Sequence, residues 1–147
     1  LYLGEIAFAD SQIGRLLAEL DRLGRAGNTI VLFSSDNGPE DIHIINAGHS
    51  GVGSAGPFRG RKRSLYEGAI RVPFLICCPG HVPAGRVDDT SVVAAVDFLP
   101  TLCNLADVTP PADHSLDGED VSDILLGQSR PRRTPLNSST AHSRSCG

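Results

Sequence analysis

Methionine and tryptophan are absent from this chain, and aromatic residues make up only 5% of it. With no stripe of interleaved basic and aromatic residues, and a formal charge of −4, it lacks the footprint of a nucleic-acid binder. No apolar run approaches the roughly 20 residues that a membrane span needs, and no signal-peptide pattern opens the chain. The four cysteines, Cys77, Cys78, Cys103 and Cys146, show no zinc-ligand spacing. Neighbours such as Cys77 and Cys78 are poorly placed to bridge each other, so the thiols read as small buried hydrophobes and leave the redox compartment open. Helical periodicity is already under way at Leu1. The chain therefore reads as an internal piece of a longer protein, and the missing leader says nothing about compartment.

What is present suffices for one domain with a real core: 147 residues, of which 40% are apolar and 20% charged. Ile6, Ala9, Ile13, Leu16, Leu17, Leu20 and Leu23 recur at spacings of three and four, predicting an amphipathic helix over residues 3–23. Gly24 and Gly27 stop it, and the β-branched, apolar run at 29–33 predicts a strand buried on both faces. A second strand is predicted at 72–78, closed by Pro79 and Gly80, and 91–96 reads as a strand or a lead-in to a helix. Asp97 is the expected N-cap of a helix over 98–106. Asp117-Gly118 is a turn, and a last short helix ends on Gly127. Helix, glycine turn and buried strand make half of a βαβ unit and argue for a mainly parallel α/β sheet. Residues 1–127 form the expected domain portion. Residues 128–147, polar and without periodicity, are expected to be poorly ordered or aberrant.

Two stretches carry chemistry. "SSDNGPE" sets Asp36 and Asn37 at the C-terminal end of the first strand, where ligands gather in open α/β sheets. A carboxylate and an amide oxygen suit a hard divalent cation; equally, Asp36 can cap a backbone N–H in an ordinary turn. "GPFRGRKRSLYEGAIRVPFLICCPG", residues 56–80, is the most basic part of an acidic chain, with Arg59, Arg61, Lys62, Arg63 and Arg71. Its cations suit a phosphate or sulfate group, or simply face water. Within it, Tyr66 reads as packed, Glu67 as paired with a local arginine, and Gly68 as a point of close backbone approach.

Taken in order with "VDFLPTLCNLADV" and "DGEDVSDILLG", these stretches resemble the type I sulfatase family, in its bacterial N-acetylgalactosamine-6-sulfatase-like and arylsulfatase-like branch. The family carries an S-D-N-G strand end, a G-x-K-x-x-x-Y-E-G-G-x-R-x-P segment and a D-x-x-P-T-L helix. The resemblance covers residues 1–127 and implies an incomplete part of an alkaline-phosphatase-like α/β sandwich with a mainly parallel sheet. It implies that Asp36 and Asn37 are two of the ligands to an active-site Ca2+. It also implies that Lys62 contacts the sulfate and the ester oxygen of the bond being broken, and that the substrate is a sulfated small molecule or carbohydrate. His49 lies in a loop that in the family often approaches the sugar ring; it is expected either to bond a substrate hydroxyl or to face solvent. The family pattern has glycine where this chain has Arg63 and Ala69. By the same resemblance the intact protein works outside the cytoplasm.

The family's nucleophile is a formylglycine made from the cysteine of C-x-P-S-R. The nearest string, Cys77-Cys78-Pro79-Gly80-His81, has histidine where arginine is needed and closes the second strand. The formylglycine is thus expected upstream of this chain, together with the rest of the calcium site, and the chain alone is expected to be inactive. Two alternatives stand beside this reading: a related phosphatase or phosphonate hydrolase on the same scaffold, and a non-catalytic binding piece or gene remnant. The sequence carries no signal for an oligomeric state.

Overall fold

A computed structural model of the chain describes residues 2–40, 51–110, 112 and 115–136. The chain divides into two compact units, Leu1–Ala84 and Gly85–Gly147.

In the first unit, helix α1 spans Tyr2–Arg22, as the apolar spacing predicts. Arg22 pairs with Glu19 one turn back, at 2.6 Å. The helix stops where Gly24 enters the left-handed region at φ 62°, and Arg25 N–H then closes on the Leu20 carbonyl at 2.9 Å. None of its residues is buried. Leu3, Phe8 and Leu16 stand exposed, so among the described residues nothing covers the apolar stripe. No helix among the described residues is long and apolar enough to cross a membrane.

A short helical turn, Ala26–Asn28, leads into strand β1, Val31–Ser34. The chain returns through a one-turn helix α2, Glu67–Ile70, to strand β2, Phe74–Cys77. The strands pair antiparallel, with Val31 opposite Cys77 and Ser34 opposite Phe74. The two strands described here are therefore antiparallel, not parallel, neighbours. Pro73 and Pro79, which have no N–H to donate, bracket β2 and shorten it from the predicted 72–78. The expectation of a strand buried on both faces is corrected in the same place: Phe33 on β1 is 51% exposed. Cys78 is buried as expected, whereas Cys77 is exposed.

In the second unit, the predicted lead-in is a helical turn, Ala95–Asp97, running into helix α3, Phe98–Leu105. Helix α4 spans Ser122–Leu125. Val121, Ile124 and Leu125 are buried, and the Val121 N–H donates to Thr101 Oγ1 at 3.0 Å. Asp97 is fully buried, at 0% exposure. It does not cap α3 with its side chain as the sequence suggested. Its carboxylate turns instead to accept the N–H groups of Ala94 (2.8 Å) and Glu119 (2.9 Å) and both ends of the Arg132 guanidinium, Nη2 at 2.7 Å and Nη1. Arg130 similarly grips Asp123 (Nε at 2.6 Å) and Glu119 (3.1 Å). Both arginines come from the stretch expected to be poorly ordered, of which residues 128–136 are described.

Burial works to raise the Asp97 carboxyl, but Arg132 and the two backbone donors together outweigh it and hold the group below its ordinary value. Removing one partner of a buried ion pair leaves the other charge uncompensated. Arg132→Ala is thus expected to destabilise the second unit by about 3 kcal/mol near neutral pH. Because the folded carboxyl is depressed, its contribution is complete above the ordinary aspartate range and is lost as pH falls below about 4. Urea unfolding of wild type and Arg132→Ala at pH 7 and pH 2.5 checks this: the gap between the two proteins should narrow in acid.

Candidate active site

Beyond β1 the backbone bends through residues 36–38. Ser34 Oγ donates to the Pro73 carbonyl at 2.9 Å, tying the strand end to the start of β2. Ser35 Oγ donates to the Asn37 carbonyl at 2.9 Å and shapes the bend. The Asn37 amide nitrogen donates to the Gly38 carbonyl at 2.8 Å, which directs its oxygen the other way. Asp36 is exposed, and among the described residues its carboxylate accepts no hydrogen bond. Among the described residues Asp36 therefore caps no backbone N–H, and the bend is held instead by the Ser35 hydroxyl donating to a carbonyl. Asp36 and the oxygen of Asn37, adjacent in sequence, are hard oxygen donors that accept no hydrogen bond among the described residues. Among the described residues, no group of three or more His, Cys, Asp or Glu gathers to complete a metal site.

The basic stretch is laid directly onto this bend. Gly38 N–H donates to the Ala69 carbonyl at 2.7 Å, Lys62 N–H to the Pro39 carbonyl at 2.9 Å, and Gly68 N–H to the Arg59 carbonyl at 2.7 Å. These bonds require backbones to touch. A Cβ on Gly38 would fall inside the Gly68 carbonyl, and one on Gly68 inside the carbonyl of Gly60. Gly68 thus has the close-approach role its sequence suggested. Ala69, at a position of family glycine, is buried at 2% exposure and is not among the positive-φ residues, so a methyl group fits there without strain.

Lys62 is half-buried and lines an open concavity of about 570 Å³ with Arg59, Arg61 and Arg63. Their roles differ. Arg61 donates to the backbone carbonyls of Glu40 (2.8 Å) and Gly53 (2.6 Å), locking the loop. Arg63 pairs with the Glu40 carboxylate. Arg59 lies over the Tyr66 ring, 3.9 Å from its centroid. Arg71 bonds Glu67 at 3.3 Å and covers the Phe58 ring at 4.7 Å. Glu67 is paired as expected; Tyr66, expected to be packed, is half-exposed at 48% beneath Arg59. His49 lies outside the described residues. The arrangement brings Lys62 to the lining of the concavity and bonds its backbone to Pro39, just past the bend at 36–38. Sequence reasoning missed Glu40 and the Arg59–Tyr66 stack; the run of three cations at 61–63 was a signal that a nearby carboxylate was needed.

The solved structures that resemble this chain define its class first. Ps i-CgsB in complex with k-i-k-neocarrahexaose matches with a TM-score of 0.66 and 33% identity over 76% of this chain and 23% of that one. The PsFucS1 sulfatase from Pseudoalteromonas sp. matches with the same TM-score and identity, over 80% of this chain and 23% of its own. The class is the alkaline-phosphatase-like α/β fold. The Sulfatase family model matches residues 1–108, and the chain belongs to the sulfatase family. The N-acetylgalactosamine-6-sulfatase of Sus scrofa is 38% identical over 127 residues, 86% of this chain. The chain spans 23% of that relative's length.

The glycine contacts carry a direct test. Gly38→Ala and Gly68→Ala must push backbone away from backbone, at an expected cost of about 2 kcal/mol each. Gly14→Ala, on α1 with nothing near its Cβ, should instead stabilise by about 0.5–1 kcal/mol through helix propensity. Chemical denaturation of the three variants separates the two cases. Hydrogen exchange at the Lys62 amide should accelerate in the first two and not in the third.

Proposed function

We propose that the protein carrying this chain hydrolyses sulfate esters on a carbohydrate, and that the chain supplies one wall of the site. The observation that carries this reading is the bond from Lys62 N–H to the Pro39 carbonyl, which ties the backbone of the cation-lined concavity to the residue that follows the bend at 36–38. The oligosaccharide bound to Ps i-CgsB supports a sugar substrate.

In this reading the Lys62 ammonium binds the sulfate and meets negative charge as it builds on the departing ester oxygen, a fixed electrostatic stabilisation that needs no rearrangement. Asp36 and Asn37 hold a divalent cation, Ca2+, through the carboxylate and the amide oxygen that the bend leaves open. Once bound, Ca2+ and a formylglycine supply charge neutralisation on the sulfate and a nucleophile toward sulfur. Cys77 does not suit the formylglycine role. It pairs with Val31, at the opposite end of the ladder from Ser34 and the bend, roughly 10 Å from it at the usual rise per strand residue. The chain by itself should bind Ca2+ weakly, since two oxygens fall well short of the six to eight that calcium takes. It should also show no turnover. The working compartment is proposed to be outside the cytoplasm. His49 is proposed as a contact to a sugar hydroxyl.

Sulfate release from a sulfated sugar by the full-length protein tests the assignment. Lys62→Ala should lower kcat by about 100-fold or more; near-wild-type activity overturns the role given to Lys62. Added Ca2+ should raise the Tm of the full-length protein, and Asp36→Ala should abolish that rise.

A further inference from the structure

One sulfate ester does not account for the cations gathered in the concavity. Of Arg59, Arg61, Lys62 and Arg63, Arg61 is committed to two backbone carbonyls and Arg63 to Glu40. Lys62 and Arg59 line the same space, and among the described residues neither has a carboxylate partner. Arg59 is also held. Its backbone carbonyl accepts the Gly68 N–H at 2.7 Å, and its guanidinium rests on the Tyr66 ring at 3.9 Å. The attraction between cation and ring favours this placement of the guanidinium, and its N–H donors have no carboxylate partner among the described residues. A guanidinium oriented in this way is suited to a second oxyanion through two parallel hydrogen bonds. The volume, about 570 Å³, is in the range of pockets that take a small molecule larger than a lone sulfate group.

We propose that Arg59, oriented by Tyr66, is a second anion-binding residue beside Lys62. It selects carbohydrates that carry another anionic group, sulfate or carboxylate, near the sulfate held by Lys62. This rests on the reading of Lys62 as the sulfate contact. Tyr66 is then a positioning residue, acting through Arg59.

Equilibrium binding to the full-length protein tests this with three probes: a monosulfated disaccharide, its disulfated form, and a monosulfated disaccharide containing a uronic acid. Wild type should bind the two dianionic probes about 10-fold more tightly than the monosulfated one, the scale of one charge-assisted hydrogen-bonded contact. Arg59→Gln should remove that preference, and Arg59→Lys should restore part of it. Whichever dianionic probe loses more in Arg59→Gln identifies the group preferred. Tyr66→Leu should reduce the preference without abolishing monosulfate binding. The proposal is overturned if wild type shows no preference, or if Arg59→Gln weakens all three probes equally. Lys62→Ala separates the two readings. If it leaves all affinities unchanged while Arg59→Gln still removes the preference, the role of Lys62 fails and the second subsite stands.

Discussion

The carbonyl of Gly68 occupies the space that a side chain on residue 38 would need, and the carbonyl of Gly60 does the same to residue 68. From this steric constraint the rest of the proposed site follows. Three loops come within hydrogen-bonding range only because two of them have no Cβ at the point of contact. Each backbone bond across the contact is worth about 1 kcal/mol net, so no single one holds the site. Together they fix the bend after β1 against the turn that carries Lys62. Arg61 adds a side-chain tie by reaching the Glu40 and Gly53 carbonyls. The site is thus set by main-chain geometry, and the charged side chains are mounted on it.

The second unit is organised on a different principle. Among its described residues few apolar side chains are buried, and a carboxylate is fully buried with them. Asp97 receives donors from residues 94, 119 and 132, three separate parts of the unit. An isolated charge there would be costly; one met by four donors is satisfied. The same logic extends outward through Arg130 to Glu119 and Asp123, and Glu119 also accepts the Thr134 N–H at 2.8 Å. Such a network contributes less to raw stability than an apolar core of equal volume would, but it demands one geometry. Residues 128–136 have no apolar periodicity because their anchoring is ionic.

This explains what was and was not legible in the sequence. Helix α1, both strands and the short last helix followed from spacing and from proline and glycine punctuation, because local pattern decides them. The close-approach role of Gly68 was legible as well, since a glycine between charged and apolar neighbours has few other uses. The direction of strand pairing was not, because it depends on where a long loop turns. Nor was the direction of the Asp97 side chain: a residue at an N-cap position normally serves its own helix, and the competing donors lie 22 and 35 residues away in sequence. The Arg59–Tyr66 stack escaped for a related reason. Seven residues apart across a glycine turn, the two have no periodic relation, and only the fold of the loop superposes them.

Arg63 shows how the constraint and the charges meet. It occupies the left-handed region, at φ 74°. A side chain there costs on the order of 1 kcal/mol of backbone strain. Glycine would avoid that cost but bring no charge. Arginine accepts the strain and pairs with Glu40, whose carbonyl is already bound by Arg61. The pairing has two consequences. It offsets part of the strain by tying the turn to the residue that follows Pro39, and it neutralises a cation that lines the same concavity as Lys62. With Arg63 balanced and Arg61 turned to the backbone, Lys62 and Arg59 are the cations of the concavity that have no carboxylate partner among the described residues.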